Sequence, residues 1–285
     1  MYSLTFNLNS INFENIIYSK IESRPSKTFI NLEIYKYFSK LKINELIIYD
    51  IYNLENNTKD ISYFLLNEII NRLKLDNIED FCFSFDNLNI NQYGSYNIIF
   101  AFEKKISQLS IIKNYINILE EIENNDIVIF NFHNLYYYSN IELMLIFVSC
   151  FEKFYIYFSK IIKNDIIVCK NFKKINIENI KKLLNNIYNN LNKNIFIKQI
   201  GFNINNDIIK YIKNYNNNYM SYYINLNYKI SKLNLLQIDN NIYELYYIDK
   251  FIKKKCNNDC NHKFLNFHLE ECLICNKCYQ LFKIY

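Results

Sequence analysis

The chain has 2 Gly, 1 Pro and no Trp in 285 residues, against 27 Tyr and 23 Phe. Asn, Ile, Lys, Tyr and Phe, which it uses heavily, are encoded almost wholly by A and T, so the bias belongs to an AT-rich coding sequence. Long apolar runs are also lacking. The longest, Leu143–Phe151, is bounded by Glu142 and Glu152. It falls far short of the roughly 20 residues that cross a bilayer, which argues against membrane association. The opening MYSLTFNLNS has neither the basic start nor the apolar stretch of a secretory leader. Nor are the eight cysteines spread as a disulfide framework, since five fall between Cys256 and Cys278. Cys82, Cys150 and Cys169 sit singly in apolar runs and are expected as small buried hydrophobes. A reducing, cytoplasmic setting follows. Charge is not extreme: 33 basic and 28 acidic residues give +5 and a pI near 8.5. That is compatible with an RNA or DNA partner without requiring one. No internal repeat is evident.

What is present is core-forming. At 34.7 kDa and 51% hydrophobic residues, the chain can bury one sizeable domain with room for an appendage. Ile98–Ala101, Ile127–Phe130, Phe154–Tyr157 and Ile166–Cys169 read as strands buried on both faces. Between the first two, Leu109, Ile112, Ile116, Leu119 and Ile122 mark one face of a helix over 106–123. Ser139 and Glu142 form an S-x-x-E capping box that predicts a helix over 141–151. Strand, helix, strand, helix, strand implies a parallel sheet with right-handed crossovers. The last two strands lie too close for a crossover, so they should pair antiparallel. The expected fold is thus α/β, a mostly parallel sheet with one antiparallel hairpin. Further helices are expected after Pro25 and over 60–74 and 180–191, with strands at 44–50, 81–85 and 194–200. Residues 203–250 read as helical with Asn-rich interruptions, Asn216–Asn218 among them as loop.

Taken in order, Ser23–Arg24 with Phe29–Ile34, the strand and helix of Ile47–Leu54 and Ile61–Leu66, and Tyr157–Cys169 resemble the FtsJ-like family. Its members are S-adenosylmethionine-dependent RNA ribose 2′-O-methyltransferases with a Rossmann-like sheet. The resemblance covers 23–172 and is one of pattern and order. By motif position it places the cofactor loop at Tyr52–Asp60, with Asp50, Asn56 and Asn57 as the residues to hold the cofactor. It places the catalytic Lys-Asp-Lys-Glu set at Ile30, Phe102, Phe130 or Asn131, and Asp165. Lys27 is three residues from the first. Only Asp165 keeps its charge. The loop contains no Gly, although Gly is what lets backbone approach a cofactor closely. The resemblance therefore implies a fold of this class with its reaction lost and S-adenosylmethionine binding in doubt. The small stimulatory subunit of poxvirus-type mRNA capping enzymes resembles the same fold and lacks the same chemistry.

The cysteine cluster is a separate signal. Cys256, Cys260, His262, Cys272, Cys275 and Cys278 offer two ligand groups, one holding C-x-x-C, that suit a tetrahedral structural Zn²⁺. The first set is Cys260, His262, Cys272 and Cys275, with Cys256 and Cys278 as rivals. His268 and His133 read as ordinary histidines. The expected domains are an N-terminal segment 1–22, a methyltransferase-like domain 23–200, a helical extension 201–254 and a zinc-ribbon-like segment 255–285. The implied partners are RNA, through Lys170, Lys173 and Lys174 expected as exposed, or a catalytic capping or transcription subunit. The implied role is binding or stimulation in viral-type mRNA capping. A zinc-ribbon transcription factor docking to RNA polymerase and an active divergent methyltransferase are the alternatives.

Overall fold

Apolar runs around Ile98 and Ile127 pair as the parallel centre of a five-stranded sheet in the computed structural model. It describes residues 16–21, 24–40, 61–75, 81–132, 134–159, 164–173, 177–201 and 203–235. In chain order the elements are β1 (Ile17–Ser19), α1 (Leu32–Lys40), α2 (Ile61–Leu73), β2 (Leu88–Tyr93) and β3 (Tyr96–Ala101). They continue with α3 (Gln108–Glu121), β4 (Ile127–Phe132), α4 (Tyr138–Val148), β5 (Phe151–Phe158) and β6 (Asp165–Phe172). The last are α5 (Ile177–Asn190), β7 (Phe196–Gln199) and α6 (Asn206–Leu235). By internal contacts the chain divides into residues 1–32 with 62–219, and residues 33–61 with 220–285. The sheet and its layers belong to the first unit. In the second, Phe38 of α1 and Tyr223 of α6 meet edge to face at 6.4 Å.

The sheet runs β2-β3-β4-β6-β5. β3 and β4 are parallel, while β2–β3, β4–β6 and β5–β6 are antiparallel. The fold is therefore α/β with a mixed sheet, which corrects the mostly parallel expectation. The β5–β6 hairpin is as expected. Its returning strand, β6, inserts between β4 and β5, so β3, β4 and β5 all point one way with a reversed strand among them. Residues buried on both faces carry no direction in their pattern, which is why β4–β6 pairing was not legible.

One sheet face packs Ile99, Val128, Phe130, Ile167 and Cys169 against α3, α4 and α5. α5 follows its periodicity: Ile180, Leu183, Leu184, Ile187 and Leu191 are all buried. α3 buries Ile111, Ile112, Tyr115, Ile118 and Leu119, with Leu109 and Ile116 half-buried beside them, so the helix is turned slightly from the expected face. α4 starts at Tyr138 rather than 141, and its first cap, Tyr137, uses no side chain. Ser139 and Glu142 are buried inside the helix instead of forming the capping box. The Glu142 carboxylate accepts the N–H groups of Ile200 and Gly201, at 2.7 and 2.9 Å. Gly201 has a φ of 100°, a conformation a side chain would strain. β7 pairs antiparallel with β1 as a separate ribbon.

The other face carries Ile98, Phe100, Ile129, Ile166 and Val168, all buried. Phe83 packs edge-on against Phe100 and Phe102 at 5.5 and 5.1 Å. The segment 81–85, expected as a strand, has no ladder. Its backbone bonds go to side chains of β2: Asn91 accepts from Cys82 N–H and donates to Cys82 O, while Asn89 donates to Ser84 O. Cys82 is exposed as a result, unlike Cys150 and Cys169, which are buried as expected. β2 and β3 join by a two-residue turn whose Gly94 has φ 62°. Asn216–Asn218, expected as a loop, lie inside α6. The expected strand 44–50 falls outside the described residues.

Candidate functional site

Because β3, β4 and β5 point the same way, their carboxyl ends share one edge of the sheet. In open α/β sheets that edge, outside the strand ends, is where ligands are bound. Three groups of polar side chains gather along it.

At the end of β3, the Asn131 side chain accepts the Glu103 N–H at 2.9 Å and donates to the Glu103 carbonyl at 2.8 Å. This ties the ends of β3 and β4 together. The Glu103 carboxylate accepts from Asn114 at 3.0 Å. Burial, and the Asp86 carboxyl beside it, hold Glu103 above the ordinary carboxylate range, against the pull of Asn114 and Lys113. Asp86 is itself fixed, accepting the Lys104 N–H at 2.9 Å.

At the end of β4, Asp165 stands opposite Phe132 and is only 6% exposed. Its Oδ1 accepts the Tyr215 hydroxyl at 2.6 Å and its Oδ2 the Leu135 N–H at 3.4 Å. Burial pushes its pKa up to about 6, with those two bonds opposing. Next to it, Asn216 donates to the carbonyls of Phe29 and Leu135, both at 2.8 Å. Asn217 accepts the Asn31 N–H at 2.9 Å. Ser26 N–H donates to Tyr136 O at 2.8 Å. The segment around Phe29 and Ile30 is thus fastened to the loop that follows β4.

At the end of β5, Ser159 donates to Glu68 of α2, whose other oxygen accepts from Arg72 at 3.3 Å. Arg72 also donates to Phe158 O at 3.3 Å and lies 4.6 Å from the centre of the Tyr157 ring.

The positions matched to a catalytic tetrad, Ile30, Phe102, Phe130 or Asn131, and Asp165, lie towards this edge. The side chains there are not those of the tetrad. Ile30, Phe102 and Phe130 are buried in apolar surroundings, and Lys27 is exposed. Asp165 is buried, with each oxygen holding a bond inside the protein, so it is its burial that keeps it from a substrate. Glu103 was not anticipated, although it lies one position beyond Phe102 and the sequence could have drawn notice to it. Glu68, Ser159 and the Tyr215–Asn217 run carried no sequence signal at all. Lys170 and Lys173, expected as exposed, are half-buried. Asp50, Asn56, Asn57, His133, Lys174 and the zinc candidates Cys256, Cys260, His262, Cys272, Cys275 and Cys278 lie outside the described residues. Among the described residues no group of three or more His, Cys, Asp or Glu is placed to hold a metal. No described helix is long and apolar enough to cross a membrane.

Set beside known proteins, the chain matches no family model and no curated protein.

Proposed function

We propose that the chain is an FtsJ-like, methyltransferase-related protein that has lost its reaction and serves as a binding or stimulatory subunit in mRNA capping or ribose 2′-O-methylation. The observation that carries this is that the four motif positions lie towards one sheet edge, with Ile30 and Phe102 filling two of them. A lysine whose pKa is lowered by neighbouring charge is the base such a reaction needs, and Ile30 and Asn131 offer none. The β5–β6 hairpin at one end of the sheet supports an α/β fold of the expected kind, in a sheet where β2–β3 and β4–β6 are antiparallel as well. In this account the C-terminal cysteines hold a structural Zn²⁺, and RNA or a catalytic subunit is the partner.

A second function, an active divergent methyltransferase, is favoured by Glu103. It is a half-buried carboxyl held above its ordinary range, one residue beyond the expected acid. Isothermal titration of the full chain with S-adenosylmethionine separates the two. The proposed function predicts no saturable heat. Saturable binding that is weakened by Glu103→Gln favours the active enzyme.

A further inference from the structure

On one face of the β5–β6 hairpin α2 reaches the end at Tyr157–Ser159, through Glu68 and Arg72. From Lys153 to Tyr157 the side chains of β5 alternate, so Phe154 and Ile156 enter the core while Lys153, Tyr155 and Tyr157 stand on the other face. Tyr157 sits under Arg72. Tyr155 is 40% exposed, one of few large hydrophobic side chains left open to solvent among the described residues. Its cross-strand neighbour on this face is the buried Val168, so the ring stands on a firm apolar floor.

Beside it, Lys153 pairs directly with Lys170 across the strands. Like charges directly opposite one another destabilise a sheet. Neither lysine forms an ion pair with any described residue. The acids nearby do not offset them. Glu152 is exposed and accepts from Asn171 at 2.9 Å, without an ion pair to either lysine, and Asp165 is buried. The whole hairpin from Phe151 to Lys174 carries six lysines against these two acids. A repulsive lysine pair becomes favourable when an anion bridges it, and an exposed ring next to that pair matches a base joined to its phosphate.

We propose that this face of the β5–β6 hairpin binds single-stranded RNA, with phosphate on Lys153 and Lys170 and a base stacked on Tyr155. Sheet faces that present aromatic rings bind single strands by stacking, with basic side chains following the backbone. The choice of RNA rests on the proposed function above; the location of the surface does not. An acidic peptide would find the lysines but gain nothing from the open ring.

The test is fluorescence anisotropy of a short labelled single-stranded RNA with the full chain over a range of salt. Lys153→Glu with Lys170→Glu should weaken binding at least tenfold. It should also make the dependence of log K on log salt shallower by about 1.4, at roughly 0.7 for each phosphate of a single strand that is no longer neutralised. Tyr155→Ala should weaken binding about fivefold or more. Lys170→Glu alone should weaken binding while leaving Tm unchanged or higher, because it turns a like-charge pair into an opposite-charge pair. Affinity unchanged in Tyr155→Ala or in Lys170→Glu overturns the proposal. So does displacement of the RNA by polyglutamate at equal charge concentration. None of these outcomes bears on titration with S-adenosylmethionine, so the surface and the methyltransferase-like assignment fail separately.

Discussion

Asp165 should weaken this protein at neutral pH, and its amide replacement should strengthen it. The carboxyl is buried at the start of β6, and its pKa rises from an ordinary 3.8 to about 6. The folded state therefore holds the proton more tightly than the unfolded chain does. Its contribution is greatest below pH 3.8, where both states are protonated, and is lost as pH rises towards about 6. At roughly 1.4 kcal/mol for each tenfold change, the full loss is about 3 kcal/mol, a large part of a typical domain's stability. Asp165→Asn removes the charge and keeps an oxygen for the Tyr215 hydroxyl. It sets an amide against the Leu135 N–H, but that bond is long, at 3.4 Å. Urea unfolding of both proteins from pH 4 to pH 8 reads the difference directly. The variant should gain on wild type across this window, reaching about 1–3 kcal/mol by pH 7, and hold that gain at higher pH. Parallel stability curves for the two proteins would refute the reasoning, because the other carboxylates are common to both.

Asn216→Ala strips the partners from two buried carbonyls, Phe29 O and Leu135 O, and should cost about 2–4 kcal/mol in urea unfolding. Asn217→Ala, whose bond to Asn31 is exposed, should cost under about 1 kcal/mol; equal losses would contradict the clamp. Glu142→Gln leaves one of the Ile200 and Gly201 N–H groups facing an amide and should destabilise by about 1–3 kcal/mol, read as a lower urea midpoint. Elemental analysis should find one Zn²⁺ per chain. Cys272→Ser with Cys275→Ser should abolish it while the circular dichroism of the sheet and its helices is kept.

The parts of this fold that were legible are those where burial alone sets the pattern. The Ile180–Leu191 periodicity named its helix, and two apolar runs eight residues apart named the hairpin. Three features escaped for one reason: side chains took over backbone bonding. Phe81, Phe83 and Phe85 alternate as a strand does, yet Asn89 and Asn91 occupy the partners a ladder would need. β2, with the sequence LNINQY, was not anticipated, because those asparagines are buried by bonding rather than by apolarity. Asn216 reads as loop composition until its carbonyl partners on distant segments are known. At the sheet edge, Asp165 was found by pattern, but its partner Tyr215 lies 50 positions away and carries no local mark. The place of β6 between β4 and β5 was not readable, since an apolar strand reads alike in either direction.

The most direct measurement is transfer of labelled methyl from S-adenosylmethionine to capped and uncapped RNA by the full chain. General acid–base catalysis contributes about 10²–10⁴-fold in such reactions, and Ile30, Phe102 and Phe130 or Asn131, at the motif positions, carry neither an acid nor a base. The account predicts no transfer above background. Turnover by wild type that disappears in Asp165→Ala or Glu103→Gln would contradict it and identify the chain as a divergent enzyme.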